Sequence, residues 1–256
     1  MHLPDSIHPT VTRHLRFVLV GTQHPGNIGA AARALKTMGF SQLVLVAPEQ
    51  PPGDEAFRRA AGADDVLATA PEVATLAEAV ADCRWVLGCT ARSRRVQLEE
   101  LAPRVAAERA VAAAAGAPVA IVFGRERTGL ENHELQLCHA AVHIPANPEY
   151  SSLNLAAAVQ VLAYETRLAA LAANTQAPET LAAPTQAASH AQMEGFFAQL
   201  GETLEQIDFH KGRAPDSAMR KLRRLFLRSQ PSEQEVRLLR GILADAQRMA
   251  RIAGER

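Results

Sequence analysis

The chain has 256 residues, of which 48% are hydrophobic and 21% charged, and these composition values predict a soluble α/β domain with a smaller appendage. Three cysteines without a framework spacing, and no signal-peptide pattern at the start, lead us to expect a cytoplasmic protein. No apolar stretch free of charge reaches the roughly 18 residues of a membrane span, so no membrane is expected.

The first half of the chain alternates predicted strands and helices. Residues 1–14 are polar and contain prolines, which predicts a loose N-terminus. A strand at residues 15–20 is followed by a turn and by a helix over residues 28–38, with Asn27 as its N-cap. Further strands are predicted at residues 43–47 and 85–89, and further helices at residues 71–82 and 104–115. This alternation predicts a largely parallel sheet with helices on both faces.

Two predicted strands between residues 118 and 164 end in polar loops. The apolar, β-branched run at residues 119–123 is followed by the loop at residues 124–129, which reads G-R-E-R-T-G. A second strand at residues 141–144 is followed by a loop with two prolines. Residues 151–154, S-S-L-N, then open a long apolar helix. Loops of this kind after neighbouring strands predict a ligand crevice at the carboxyl edge of the sheet.

Three predicted loops meet at this edge, because Thr90, Gly124 and Ile144 each follow a strand. Their backbone N–H and C=O groups can face a ligand, with apolar walls from Leu130 and Leu153. The glycine-rich loop lacks the signatures of a nucleotide P-loop and of a dinucleotide fold. A purely structural glycine turn is the alternative.

The C-terminal part differs from the rest in composition and charge. Small and polar residues with two prolines predict a linker at residues 173–190, between a domain at residues 1–172 and a helical extension at residues 191–256. Residues 211–256 hold 12 Lys or Arg against 5 Asp or Glu, a net charge of +7, which leaves −7 for residues 1–210. This asymmetry predicts contact with a polyanion.

Several charged or metal-binding residue types have more than one interpretation. Asn27 and Arg33 suit a helix N-cap and a solvated helix charge, but a guanidinium beside a helix N-terminus also attracts anions. The basic residues Arg92 and Arg94, and the stripe on a C-terminal helix, suit either RNA phosphates or a solvated face; the stripe comprises Arg220, Lys221, Arg223 and Arg224. The spacing of His133, Cys138 and His139 matches no zinc pattern, so no metal is expected.

The order and spacing of several motifs resemble the SPOUT RNA methyltransferases. These motifs are the G-x-E-x-x-G at residues 124–129, the I-P at residues 144–145, the Y-S-S-L-N-L-A at residues 150–156 and the N-x5-R at residues 27–33. With the tail after His190, the whole chain is similar to the bacterial tRNA 2′-O-ribose methyltransferases of this superfamily. The resemblance implies a sheet with a C-terminal trefoil knot, S-adenosyl-L-methionine as cofactor, and a homodimer whose partner helps to complete the RNA site.

The resemblance also assigns roles to residues. It implies that Arg33, with Asn27 and Ser152, serves the ribose 2′-hydroxyl. Because an arginine stays protonated, stabilising the developing alkoxide is its easier physical role. The implied cofactor-binding residues are Cys89, Thr90, Ala91, Gly124, Glu126, Gly129, Ile144, Ser151, Ser152, Leu153 and Asn154.

The implied reaction is methylation of a cytidine or uridine ribose at nucleotide 32 of the tRNA anticodon loop. Two alternatives remain open. A 2′-O-methyltransferase that acts on ribosomal RNA uses the same motifs, and a non-catalytic RNA-binding module would keep the pocket without the reaction.

Overall fold

A computed structural model of the protein describes residues 6–91, 98–175, 187–212 and 214–254. The chain forms two compact units, Met1–Leu181 and Ala182–Arg256, and their division falls inside the predicted linker at residues 173–190. Arg92 and Arg94 lie outside the described residues, so their contact with RNA stays a prediction.

The first unit is built on a seven-stranded sheet in which every neighbouring pair is parallel. The strands run in the order β3-β2-β1-β6-β4-β7-β5 across the sheet, and the predicted parallel sheet is confirmed. Their bounds are β1 Leu15–Val20, β2 Leu43–Val46, β3 Glu72–Val73, β4 Trp85–Cys89, β5 Glu99–Leu101, β6 Val119–Phe123 and β7 Ala140–Val142. The trefoil knot stays a prediction.

Helices cover both faces of this sheet. They are α1 Pro9–His14, α2 Pro25–Thr37, α3 Asp54–Ala60, α4 Asp64–Ala68, α5 Leu76–Ala79, α6 Pro103–Ala114, α7 Asn132–Leu135 and α8 Leu155–Thr175. Phe17 and Leu19 of β1 join a buried cluster with α2, α6 and α8, whereas Val18 and Val20 join a second cluster with α5 and α7. The two faces of β1 are therefore both buried, which explains the continuous apolar run at residues 17–20.

Two predictions about local structure are wrong, and one strand was not predicted. The N-terminal segment is not wholly loose, because α1 forms there and the His8 side chain accepts a hydrogen bond from the Thr10 amide. The helix predicted at residues 71–82 is instead β3 followed by the one-turn helix α5, and Val73 pairs with Val46 of β2. The sequence also gave no sign of β5, which has only three residues and two exposed glutamates.

Helix α8 is long and apolar enough, by length and composition alone, to cross a membrane. It contains Glu165 and Arg167, so the expectation that no charge-free apolar stretch reaches this length still holds. In the fold, however, Val159, Leu162 and Ala163 are fully or almost fully buried in the same cluster as residues of α2 and α6. Packing against the sheet domain accounts for the apolar character of α8.

The second unit consists of three helices, α9 His190–Gln206, α10 Pro215–Ser229 and α11 Glu233–Gly254, as predicted for the extension. Its core is aromatic, because the Phe196 ring lies 5.4 Å from that of Phe197 and 4.8 Å from that of Phe226. The predicted basic stripe on α10 needs a correction at Arg223. This guanidinium pairs with Glu194 and lies 4.4 Å from the Phe197 ring centroid, so it stabilises the helical unit, while Arg220 and Lys221 are exposed.

Candidate active site

The carboxyl ends of three adjacent strands, β6, β4 and β7, meet at one edge of the sheet and line a single cavity. The Thr90 amide donates to the Val142 carbonyl at 3.0 Å, which continues the pairing of β4 with β7 up to the cavity. The lining residues are Cys89, Thr90, Ala91, Phe123, Gly124, Arg125, Glu126, Arg127, Thr128, Gly129, Ile144, Ser151, Ser152, Leu153, Leu155 and Ala158.

Nearly all of the predicted cofactor-binding residues line this cavity, and Asn154 is the exception. The sequence reasoning missed six lining residues, which are Phe123, Arg125, Arg127, Thr128, Leu155 and Ala158. The last two are three residues apart on α8, a spacing that places them on one helix face and that could have indicated them. The predicted wall at Leu130 is wrong, because this side chain is buried in the core on the α5 and α7 side of the sheet.

The loop at residues 124–129 folds back on itself. The Gly129 amide donates to the Arg125 carbonyl at 2.8 Å, and Gly129 has a φ of 66°, which favours glycine. A Cβ atom on Gly124 would lie 2.2 Å from the carbonyl carbon of Gly129 and from the nitrogen of Leu130. The close approach at Gly124 is therefore one of loop backbone to loop backbone.

Glu126 holds this loop against the loop that follows β1. Its carboxylate accepts hydrogen bonds from the Gln23 amide at 2.9 Å, the His24 amide at 3.3 Å and the Asn27 side-chain amide at 2.8 Å. Partial burial opposes ionisation, but these hydrogen bonds outweigh it and keep the pKa of Glu126 below its ordinary value. The ionised carboxylate is therefore a structural acceptor, and its stabilising contribution is lost only as the pH falls below the ordinary glutamate range.

Asn27 joins three segments and does not cap its helix. Helix α2 begins at Pro25 with His24 as N-cap, so Asn27 lies inside the first turn and the predicted N-cap is wrong. Its side chain donates to Glu126 and accepts from Asn154 Nδ2 at 3.0 Å. Asn154 in turn accepts from the Ala156 amide at 2.9 Å at the start of α8. A continuous chain of hydrogen bonds thus links the starts of α2 and α8 to the 124–129 loop.

Arg33 is exposed on α2 and does not line the cavity. It lies six residues beyond Asn27, which is about 9 Å along an α-helix. Among the residues that the structure describes, none forms an ion pair or side-chain hydrogen bond with its guanidinium. Its charge therefore remains available, on the helix whose first turn is bonded to the cavity loops.

Arg125 fixes the other side of the same loop. Its guanidinium donates to both carboxylate oxygens of Glu134, at 3.0 and 3.1 Å, and the Glu134 side chain is only 4% exposed. The Arg125 side chain also covers Gly21, where an added Cβ atom would lie 2.7 Å from Nε. The glycine after β1, with a φ of 58°, is thus required by both backbone conformation and space.

The surroundings of the cysteine and histidine side chains near the site indicate structural roles for them. Burial raises the pKa of the Cys89 and Cys138 thiols to about 12, so both are neutral at physiological pH. His139 accepts from the Val86 amide at 3.0 Å, and His133 lies 3.3 Å from Glu131. Within the described ranges, no group of three or more His, Cys, Asp or Glu side chains is arranged to hold a metal ion.

We expect Glu126→Gln to loosen the cavity loops. The new amide group would face N–H donors, so at least one buried donor loses its acceptor, and this costs about 1–3 kcal/mol of unfolding free energy. Chemical denaturation at neutral pH measures the change. Glu49→Gln is the matched control, because among the described residues the exposed Glu49 side chain accepts only from the Gln23 side chain, a bond that a glutamine oxygen can keep. Equal stability of the two variants would contradict this role.

Comparisons with known proteins agree with these motifs. Residues 14–164 match the model of the SpoU rRNA Methylase family, and residues 191–255 match the C-terminal domain of the tRNA methyltransferase TrmJ. The chain is 50% identical to tRNA (cytidine/uridine-2′-O-)-methyltransferase TrmJ of Escherichia coli K12 over 232 residues, which cover 91% of this chain and 94% of that protein.

Solved structures show the same similarity. TrmJ from Z. mobilis ZM4 superposes with a TM-score of 0.78 at 34% identity, covering 90% of this chain and 97% of that one. A probable methylase family protein from Haemophilus influenzae superposes with a TM-score of 0.62 at 40% identity, covering 94% and 98%. The chain therefore belongs to the SpoU methylase family and, within it, to the TrmJ tRNA methyltransferases.

Proposed function

We propose that this enzyme transfers a methyl group from S-adenosyl-L-methionine to the ribose 2′-hydroxyl of cytidine or uridine at nucleotide 32 of the tRNA anticodon loop. The observation that carries the proposal is the hydrogen-bonded chain from Glu126 through Asn27 to Asn154. It joins a three-loop cavity to the helix that bears Arg33, whose guanidinium has no ion-pair partner among the described residues. The similarity to TrmJ proteins named for cytidine and uridine supports the choice of substrate.

The cavity residues fit this cofactor. Apolar side chains of Phe123, Ile144, Leu153 and Leu155 suit an adenine ring, and the backbone of the glycine-rich loop suits its polar edge. When bound, S-adenosyl-L-methionine supplies an activated methyl group on a sulfonium. A metal is not needed for such a transfer, which depends on alignment and proximity.

The protein side chains have separate roles in this proposal. Arg33 stabilises the negative charge that develops on the ribose 2′-oxygen, since a protonated guanidinium is a poor proton acceptor. Asn27 positions α2, and thereby Arg33, relative to the cavity. Ser152 and Asn154 orient the ribose and the cofactor at the start of α8. The 2′-hydroxyl proton leaves to a substrate phosphate or to water.

Nucleoside analysis of tRNA tests the proposed reaction. Purified enzyme with S-adenosyl-L-methionine and unmodified tRNA should produce 2′-O-methylcytidine or 2′-O-methyluridine, mapped by primer extension to nucleotide 32. Ribosomal RNA is the competing substrate to include, because the matching family description names rRNA. Methylation of ribosomal RNA alone would overturn the choice of tRNA, and no methylation of either RNA would leave a non-catalytic RNA-binding module.

We further propose that the enzyme is a cytoplasmic homodimer whose partner subunit helps to complete the RNA site. The second unit then adds affinity for tRNA through the exposed basic residues of α10. Sedimentation of the free enzyme and of its tRNA complex tests the dimer, and a monomeric active complex would overturn it.

We expect the double variant Arg220→Ala, Lys221→Ala to weaken tRNA binding without a change in cofactor binding. Two lost phosphate contacts should lower the slope of log affinity against log salt by about 1.5 in magnitude. Filter binding at several salt concentrations measures the slope. Arg237→Ala on α11 is a matched control that removes an exposed cation paired with Glu233. An unchanged slope in the double variant would show that this face of α10 is solvated and does not contact tRNA phosphates.

A further inference from the structure

Tyr150 is the most exposed large apolar side chain among the described residues, with 83% of its surface accessible. Most large apolar side chains in the sheet domain are buried, and the Tyr150 ring does not contribute to that core. The chain has two tyrosines, and the other, Tyr164, is 49% exposed on α8. Because single exposed apolar side chains are common, the place of Tyr150 relative to the cavity decides its interpretation.

The position of Tyr150 is fixed relative to the cavity. Its amide donates to the Asn147 carbonyl at 2.9 Å, which closes a turn, and the Asn147 side chain accepts from the Glu149 amide at 3.1 Å. The next two residues, Ser151 and Ser152, line the cavity. Tyr150 thus stands on a structured turn at the cavity rim.

The same rim is connected to α2. Asn154, four residues after Tyr150, donates a hydrogen bond to Asn27 of α2. Arg33 lies about 9 Å further along the same helix. Four residues of chain span at most about 14 Å. Tyr150 therefore lies within about 14 Å of Asn154, which contacts the helix that bears Arg33.

We propose that the Tyr150 ring stacks on the base of the nucleotide whose ribose is methylated. This inference rests on the proposed function and adds a residue that recognises the target base. Proteins bind nucleotides in RNA loops by splaying out the base and stacking it on an aromatic side chain. Stacking on Tyr150 would hold the base outside the cavity while its ribose faces the methyl donor and Arg33.

Stacking also accounts for a substrate range that includes both pyrimidines. Cytidine and uridine differ at the 4-amino or 4-oxo group on the base edge, and their ring faces are alike. An aromatic platform contacts the ring face and tolerates different bases, whereas hydrogen bonds to the edge would select one of them. Loss of the Tyr150 ring should therefore weaken the binding of cytidine-containing and uridine-containing substrates equally.

The first test compares three variants in tRNA binding and in methylation. Tyr150→Leu keeps an apolar side chain but removes the ring, so Kd and KM for tRNA should rise about 5- to 150-fold, as for loss of one base stack. Tyr150→Phe keeps the ring and should restore most of this loss. Tyr164→Leu is the matched control for removal of a tyrosine away from the cavity. Calorimetric binding of S-adenosyl-L-methionine should be unchanged in all three.

The second test is a double-mutant cycle with tRNA that carries an abasic ribose at the methylated nucleotide. If the ring of Tyr150 stacks on that base, the wild-type enzyme and Tyr150→Leu should bind the abasic tRNA within about twofold of each other. A loss on abasic tRNA as large as on intact tRNA would place the contact elsewhere and overturn the inference.

The outcomes separate this inference from the proposed function. If wild-type enzyme methylates tRNA and Tyr150→Leu binds and methylates it within twofold, the stacking role is wrong and the function stands. If Tyr150→Phe is as defective as Tyr150→Leu, the hydroxyl and not the ring makes the contact, which also overturns stacking. If wild-type enzyme methylates no tRNA, the proposed function itself fails.

Discussion

Replacement of Arg33 by alanine is expected to lower the rate of methyl transfer about a hundredfold or more, as does removal of one donor from an oxyanion site. S-adenosyl-L-methionine should bind as in the wild type, because Arg33 does not line the cavity. Its exposed guanidinium has no hydrogen-bond or ion-pair partner among the described residues, so the substitution breaks no such bond there. Single-turnover kinetics and calorimetry measure the two effects separately.

Two companion variants make the Arg33 result specific. Lys36→Ala removes a positive charge from the same helix, where Lys36 pairs with Asp65 at 2.7 Å, and should keep the transfer rate. Arg33→Lys keeps the positive charge but loses the planar set of guanidinium donors. Its rate of methyl transfer should therefore lie between those of the wild type and Arg33→Ala. If Arg33→Ala transfers the methyl group at a rate within threefold of the wild type, the role of Arg33 at the ribose 2′-oxygen is wrong.

Substitution of Gly124, even by alanine, is expected to abolish most cofactor binding. The reason is the close approach of two backbone segments at this position. The added Cβ atom would lie 2.2 Å from backbone atoms of Gly129 and Leu130, so the 124–129 loop cannot close. Forced backbone shifts of this kind typically cost about 1–3 kcal/mol and occasionally more.

Calorimetry with S-adenosyl-L-methionine and chemical denaturation together test this expectation. Both cofactor affinity and the free energy of unfolding should fall in Gly124→Ala. Gly116→Ala is the matched control, because a Cβ atom there meets no atom within 4 Å. Normal cofactor affinity in a folded Gly124→Ala protein would show that this loop is not the cofactor site.

The strands of the sheet were predictable where burial on both faces left a continuous apolar run. The runs at β4, at β6 and at residues 17–20 of β1 indicate these strands directly, since no charged position interrupts them. Short edge strands have no such pattern. β3 has two residues and β5 has three, and their pairing with β2 and β7 is set by the sheet and not by their own sequence.

The candidate site was predictable as a set of loops but not as a set of contacts. Residues after strands identify the cavity edge, because parallel strands bring their carboxyl ends together. The partners of Glu126 lie about a hundred residues earlier, and no local pattern reveals such a bond. Pro25 did carry a usable signal, since proline favours the first helical position and would have moved the N-cap from Asn27 to His24.

The position of β6 in the sheet has a consequence for synthesis of the protein. β6 lies at the centre of the seven strands, between β1 and β4, although it is the sixth to be made. Until residues 119–123 leave the ribosome, β1 and β4 cannot join one sheet, and each presents an open apolar edge. Because such long-range parallel pairing is slow, a nascent chain that stops short of β6 should depend on chaperones to escape aggregation.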